Sequence, residues 1–259
     1  MRKSAVLLLI FVLLLSGCTD TREETVPTTV LTELTSECVP ETEQETTEAT
    51  TEETTEETTQ PHPEPTTPTT APPEPENTDF VRIVDYIPTS VEALAYATEE
   101  NFTGVQIYDF HDAYLRYGTL LKLRSAALQL ESMGYGIVIW DAYRPVYAQE
   151  RLWNAYPNAA YVSPPGTGTQ SHCRGCAVDI TLYDLETGEL LEMPTGFDDF
   201  SKYADRDYRD VSEEAAANAR LLEEIMAECG FKPYKAEWWH FTDTVSYDIE
   251  YEFDPAISQ

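Results

Sequence analysis

The sequence predicts an α+β fold, a small antiparallel sheet flanked by helices, in a single domain that spans residues 79–259. Within these residues, helical and strand patterns alternate without the regular strand–helix–strand rhythm that is typical of a parallel sheet. The residues before the domain have a composition that cannot form a packed core. Both observations favour one compact domain at the end of an extended N-terminal segment.

The N-terminus combines a basic pair with a short apolar run, MRKSAVLLLIFVLLLSGC. The run is shorter than the ~20 residues that span a bilayer, so a secretory signal peptide over residues 1–17 is predicted. The sequence LSGC at its end resembles the lipobox of bacterial lipoproteins, in which the cysteine is lipidated. An ordinary signal peptide is the alternative. We expect lipidation of Cys18, which would anchor the protein to the outer face of the cell membrane.

Residues 18–78 are rich in threonine, glutamate and proline. Of the 60 residues from 19 to 78, 21 are threonine, and large apolar side chains are scarce. Such a segment cannot offset its ordering entropy by burying apolar surface. Its like charges and prolines favour extended conformations. We therefore expect a disordered stalk between the anchor and the domain.

The domain is strongly acidic. Residues 79–259 contain 31 acidic and 13 basic side chains, a net charge of −18. Nucleic acid is therefore excluded as an expected partner, because binding to a phosphate backbone requires a basic surface.

The sequence of the first half of the domain predicts two helices, then a strand, then a third helix. Residues 90–100 have a helical pattern that Ser90 can cap, and residues 113–134 predict a helix that ends at Gly134. The β-branched run in residues 135–143 predicts a buried strand. A helix follows with Pro145 in its first turn.

The second half predicts two strands and one helix. Residues 176–184 alternate, with Val178, Ile180 and Leu182 on one side of the strand. A hairpin turn around Gly188 follows. Residues 212–230 predict a capped helix that ends at a glycine. The segment EWWHFTDT, residues 237–244, predicts the last strand, with one tryptophan of the pair 238–239 in the core and the other at a pocket wall.

Three side chains form a candidate metal site. Asp179 falls on the small or polar side of its strand, where a lone carboxylate is costly unless it is paired or bound to a cation. With His172 and His240 it supplies a ligand set that suits Zn²⁺. Glu237, three residues before His240, stands where a general base is needed. By spacing alone, ordinary core or surface histidines are an equal alternative, and His111 is predicted to be a surface histidine.

Four segments carry a family resemblance. SHCRGCAVD, residues 171–179, resembles the S-H-x-x-G-x-A-x-D motif of the zinc D-alanyl-D-alanine peptidases, and EWWH resembles their E-x-W-H motif. YATEENFTGVQIYDF, residues 96–110, and IVIWDAYRP, residues 137–145, resemble the narrower VanX-type group, the D-Ala-D-Ala dipeptidases. The resemblance covers nearly all of residues 80–245.

The resemblance implies a role for each candidate residue. It implies zinc held by His172, Asp179 and His240, with Glu237 as the catalytic base. It also implies that Arg144 stabilises the developing oxyanion, for which a permanently charged guanidinium is suited. A salt bridge to a surface acid is the alternative for this arginine.

Two further residues are candidate substrate contacts. The resemblance places Asp198 at the amino group of the substrate, although a turn or helix-cap aspartate is an equal alternative. Ser171 could donate to the substrate or only order its loop. Gln170 departs from the dipeptidase pattern, in which we expect a small polar residue, so the contacts to the substrate carboxylate stay open.

The resemblance implies a zinc-dependent hydrolase of D-Ala-D-Ala. Because the chain is predicted to be exported, we expect a role in cell-wall turnover or D-alanine scavenging. A D,D-carboxypeptidase that trims peptidoglycan stem peptides and a non-catalytic wall-binding module are the alternatives. Cys173 and Cys176 are predicted to be small buried residues or to form a disulfide, either with each other or between Cys176 and Cys229; a redox role is the alternative.

Overall fold

The computed structural model describes residues 73–257. The predicted signal peptide, Cys18 and nearly all of the predicted stalk lie outside these residues. Within the described part of the chain, no helix is both long enough and apolar enough to cross a membrane.

The α+β class is confirmed. The elements in chain order are β1 (Phe80–Arg82), β2 (Val91–Glu92), β3 (Tyr114–Arg116), α1 (Tyr117–Ser132), β4 (Tyr135–Asp141), α2 (Val146–Ala155), β5 (Ala177–Asp184), α3 (Glu213–Glu228), β6 (Phe231–Pro233) and β7 (His240–Asp243).

The main sheet has five strands in the order β2–β4–β5–β7–β6. Its pairs are antiparallel except for the short edge strand β2, which runs parallel to β4. A separate antiparallel pair joins β1 to β3. The three central strands, β4, β5 and β7, form the platform from which the site is built.

One hydrophobic core lies between the sheet and the helices. The alternation predicted for β5 is seen, because Val178, Ile180 and Leu182 are all fully buried in this core. Helix α1 packs against β4 and α3. Since Asp179 points to the opposite side from these three residues, the core holds the strand while leaving the carboxylate free for the site.

The predicted helix over residues 212–230 is confirmed as α3. The Ser212 hydroxyl accepts a hydrogen bond from the Ala215 N–H at 3.0 Å, which is the N-cap expected from the sequence. Glu213 and Glu214 lie in the first turn, where they complement the positive end of the helix dipole. The chain leaves the helix through Gly230, whose φ of 92° favours glycine.

The predicted helix over residues 90–100 is wrong. Val91 and Glu92 instead pair with β4, and the Ala93 N–H donates to the Ile139 carbonyl at 2.9 Å. Only Ala95–Ala97 form a short 3-10 turn. Pairing with the sheet edge therefore outweighed the local helix preference, as tertiary contacts often do.

Two other predicted elements are shorter than expected. Helix α1 begins at Tyr117, because the three residues before it pair with β1. The last strand begins at His240, so Glu237 lies in the turn that precedes it.

The described fold begins before residue 79. The Asn77 carbonyl accepts a hydrogen bond from the Gly118 N–H at 3.1 Å, and Glu74 accepts one from the Tyr117 hydroxyl at 2.7 Å. The end of the predicted stalk is thus attached to the start of α1.

Gly136 is required by close packing within the sheet. It lies opposite Tyr183 in the β4–β5 register, and a Cβ at position 136 would overlap with the tyrosine ring. The ring cannot move freely, because its hydroxyl donates to the Thr89 carbonyl at 2.6 Å. We predict that Gly136→Ala lowers the free energy of unfolding by about 1–3 kcal/mol, measured by urea denaturation.

Gly196→Ala is the matched control, because no heavy atom lies within 4 Å of a Cβ at that exposed position. Its unfolding midpoint should equal that of the wild type. Equal midpoints for both alanine variants would contradict tight packing of Tyr183 on Gly136.

Candidate active site

Three elements bring the predicted metal ligands together. Strands β5 and β7 place Asp179 directly opposite His240, and a 3-10 turn over residues 172–174 supplies His172. The potential ligand atoms of the three residues lie within 4.8 Å of one another. His172 and His240, which are 68 positions apart in the sequence, therefore lie in one cluster.

The hydrogen bonds orient both imidazoles. His172 Nδ1 lies 2.7 Å from the Ala142 carbonyl oxygen, which can only accept, so Nδ1 carries the proton and Nε2 faces the cluster with its lone pair. His240 Nε2 lies 3.0 Å from the Thr242 hydroxyl oxygen, while Nδ1 lies 2.8 Å from Asp179 Oδ1. Each ring is thus held by one nitrogen and presents the other, which is the usual arrangement of metal-binding histidines.

The electrostatics of the cluster fit a bound cation. Burial lowers the pKa of His240 to about 4 and that of His172 well below its usual range, so both rings are neutral and able to act as ligands. Burial also raises the pKa of Asp179, and the neighbouring Asp141 raises it further. A carboxylate in this position is therefore stabilised best by a positive ion.

Arg144 is fixed by a buried acid. Its Nε and a terminal nitrogen lie 2.9 and 2.7 Å from Asp141 Oδ2, and its other terminal nitrogen donates to Gln149 Oε1 at 2.8 Å. The second Asp141 oxygen accepts from the Tyr108 hydroxyl at 3.0 Å. The ion pair is therefore internal rather than one with a surface acid, and it holds the guanidinium in one orientation.

One cavity of about 320 Å³ contains all of the predicted site residues. Its lining includes the two catalytic, three metal-ligating and two substrate-binding candidates: Arg144, Ser171, His172, Asp179, Asp198, Glu237 and His240. Burial raises the pKa of Glu237 to about 7, close to the value that suits a group which both accepts and donates a proton near neutrality.

Asp198 lies in a turn and has a partner. Its Oδ2 accepts a hydrogen bond from the Tyr96 hydroxyl at 2.7 Å, and its backbone φ is 55°. Burial raises the pKa of this carboxyl to about 7. The Tyr96 ring also lies 5.0 Å from the guanidinium carbon of Arg144. The turn thus presents an acid to the cavity on the side where Arg144 lies.

Sequence reasoning missed three residues that organise the cavity, namely Tyr96, Asp141 and Gln149. Asp141 and Gln149 lie in DAYRPVYAQ, three residues before and five after Arg144, so their polar side chains in that segment were a usable signal. Tyr96 begins the segment YATEENFTGVQIYDF, but nothing in the sequence singles it out among 16 tyrosines.

Other residues have structural roles. The expectation that one tryptophan walls the pocket is wrong, since Trp238 and Trp239 are both fully buried in the core. No disulfide forms in the described part of the chain: Cys173 and Cys176 are free and buried, and Cys229 is free and half-buried. His111 is exposed, as predicted for a surface histidine.

Comparison with known proteins identifies the family. A family model described as D-ala-D-ala dipeptidase matches residues 76–252. The chain is 39% identical over 172 residues to the D-alanyl-D-alanine dipeptidase of Streptomyces coelicolor, covering 57% of this chain and 82% of that protein. It is 36% identical over 166 residues to the Escherichia coli protein of the same name, with 64% and 85% covered.

The Enterococcus faecalis D-alanyl-D-alanine dipeptidase is 34% identical over 165 residues, which cover 56% of this chain and 82% of that protein. The matched segment contains every residue that lines the cavity. The chain is therefore a peptidase that belongs to the D-Ala-D-Ala dipeptidase family.

Proposed function

We propose that this protein is a zinc-dependent dipeptidase that hydrolyses D-alanyl-D-alanine to free D-alanine. The observation that carries the proposal is the single cavity in which a metal-ligand cluster, a carboxyl base, a fixed guanidinium and a second acid meet. The names of the similar proteins supply the substrate.

The ligand set is the argument for zinc. Two neutral imidazoles and one carboxylate are a common ligand set of catalytic zinc, which keeps its fourth position for water or substrate. When bound by His172, Asp179 and His240, zinc would lower the pKa of a water molecule and polarise the peptide carbonyl.

Glu237 and Arg144 carry out the proton transfer and the charge stabilisation. Glu237 accepts a proton from the attacking water, whose oxygen adds to the peptide carbonyl carbon. As the C–N bond breaks, Glu237 returns the proton to the leaving amine. Arg144 donates hydrogen bonds to the carbonyl oxygen as negative charge develops there, and its orientation is fixed in advance by Asp141 and Gln149.

Asp198 supports a dipeptidase over a carboxypeptidase. A free dipeptide carries an ammonium group, and a carboxylate held by Tyr96 at the cavity wall is a suitable partner for it. An N-acylated stem peptide has no such charge at that position. It would leave the Asp198 carboxylate desolvated without the ammonium group that balances its charge, which opposes binding.

The proposed location follows from the N-terminus. A lipidated Cys18 and an extended stalk would hold the domain outside the membrane, where peptides released from the cell wall are available. We therefore propose a role in cell-wall turnover or D-alanine scavenging.

Glu237→Gln should abolish turnover without loss of metal. The amide cannot accept a proton, so kcat for D-alanine release should fall at least about a hundredfold, the range expected when a general base is removed. Zinc content, measured by atomic emission, should stay at the wild-type level. His240→Ala should lose both zinc and activity.

Glu186→Gln, in an exposed turn, is the control and should be fully active. Wild-type protein that releases no chelator-sensitive D-alanine would contradict the proposed reaction.

Asp198→Asn should reduce the preference for a free amino group. We expect wild-type protein to cleave D-Ala-D-Ala well and N-acetyl-D-Ala-D-Ala poorly. The variant should raise KM for the free dipeptide about tenfold, because a charge-assisted contact is lost. Its KM for the acetylated peptide should change little. Faster cleavage of the acetylated peptide by the wild type would identify a carboxypeptidase instead.

Cys18→Ala should abolish lipidation. Cells fed an alkyne-tagged fatty acid should label the wild-type chain and not the variant, because only a thiol at the lipobox position is acylated. Cys38→Ala, in the predicted stalk, should label normally. An unlabelled wild-type chain, or a chain found only in the cytosol, would refute the proposed anchoring.

A further inference from the structure

A strained segment forms part of the cavity wall. Gln170 has a φ of 48°, in the left-handed region that side-chain-bearing residues rarely adopt. It lines the cavity together with Gly168 and Thr169, immediately before Ser171 and His172. Because such a conformation is unfavourable on its own, other contacts must hold it in place.

Arg174 makes those contacts. Its backbone N–H donates to the carbonyl oxygens of Gln170 and Ser171, each at 3.2 Å. Its side-chain Nε donates to the Thr169 carbonyl at 2.8 Å, and a terminal nitrogen donates to the Tyr247 carbonyl. One guanidinium therefore joins the strained wall to the segment that follows β7, residues 244–257, which is called the C-terminal segment below.

The segment that follows β7 is itself anchored. The Glu250 N–H donates to the Cys173 carbonyl at 3.0 Å, and the Glu250 carboxylate pairs with Arg116 at 3.0 Å. Arg116 is buried and also donates to the Arg174 carbonyl at 3.2 Å. The C-terminal segment is thus held in place where Arg174 contacts it. The hydrogen bond from Arg174 to the Thr169 carbonyl can therefore resist movement of the wall.

We propose that Arg174 is a positioning residue for the substrate, which holds the cavity wall at Thr169 and Gln170 in its strained conformation by tying it to the C-terminal segment. This inference rests on the proposed function for the identity of the substrate. Arg174 does not line the cavity, so its effect on the substrate passes through the wall. It occupies one of the variable positions of the SHCRGCAVD motif, and neither metal binding nor proton transfer requires it.

The proposal predicts an effect on binding rather than on chemistry. Arg174→Ala removes the two side-chain hydrogen bonds that join Thr169 to Tyr247, so the wall at Thr169 and Gln170 can relax and KM for D-Ala-D-Ala should rise about tenfold. The value of kcat should stay within about twofold, since Glu237 and Arg144 are not touched. Zinc content should be unchanged. Arg174→Lys should give an intermediate KM, because an ammonium cannot reproduce the planar fork that bridges two carbonyls.

A double-mutant cycle tests the route of the effect. Glycine adopts positive φ without strain, so the wall in Gln170→Gly depends less on the hydrogen bonds of the Arg174 side chain. Adding Arg174→Ala to Gln170→Gly should raise KM less than threefold beyond the Gln170→Gly value. Equal KM effects of Arg174→Ala in both backgrounds, or a loss of kcat with KM unchanged, would overturn the proposal. Arg209→Ala, which removes an exposed arginine paired with Asp207, is the matched control and should leave KM unchanged.

A second readout does not depend on activity. The amides of residues 174–176 donate hydrogen bonds to the carbonyl oxygens of residues 170–172. Hydrogen exchange at these amides should be faster in Arg174→Ala than in the wild type, and normal in Arg209→Ala. Unchanged exchange would overturn the positioning role even if the protein had a different substrate. If the wild type were inactive but exchange were faster in Arg174→Ala, the proposed dipeptidase function would be contradicted and the positioning role of Arg174 would stand.

Discussion

The antiparallel pairing of β5 with β7 is the constraint on which the site depends. It sets Asp179 opposite His240, and the alternation of β5 sends its apolar neighbours into the core. A slip of one residue would turn the carboxylate into the hydrophobic core and Val178 or Ile180 into the cavity. The apolar residues of the strand therefore specify the position of the ligand, because their burial fixes the register.

Asp141 is the second organising group. It ends β4, is fully buried, and holds Arg144 while lying 3.4 Å from His172 Nδ1. One acid thus links Arg144, the proposed oxyanion donor, to a ligand of the candidate metal site. The cost of burying its charge is offset by the guanidinium and the Tyr108 hydroxyl. Its place at the end of a central strand makes this arrangement rigid.

Much of the fold was predictable where a local signal agreed with the tertiary structure. Helix α3 has its cap, its acidic first turn and its terminal glycine, and β4 has a run of β-branched residues. Residues 90–100 were misassigned because their helical pattern is local, whereas the pairing of Val91 with Val138 depends on a distant strand. The candidate site residues were found through motifs. Tyr96 lies in one of these motifs but was not singled out, since its role arises from contact with Asp198, 102 positions away in the sequence.

The two cysteines in SHCRGCAVD have a consequence for the protein's chemical durability. Burial raises the pKa of both Cys173 and Cys176 to about 11, so both thiols are protonated at neutral pH. Oxidation and thiol–disulfide exchange both proceed through the thiolate, and both are therefore slow at these positions. Cys173 borders the cavity beside His172 but does not belong to the group of three side chains whose ligand atoms converge. Burial thus protects the two unpaired thiols beside the candidate active site from oxidation.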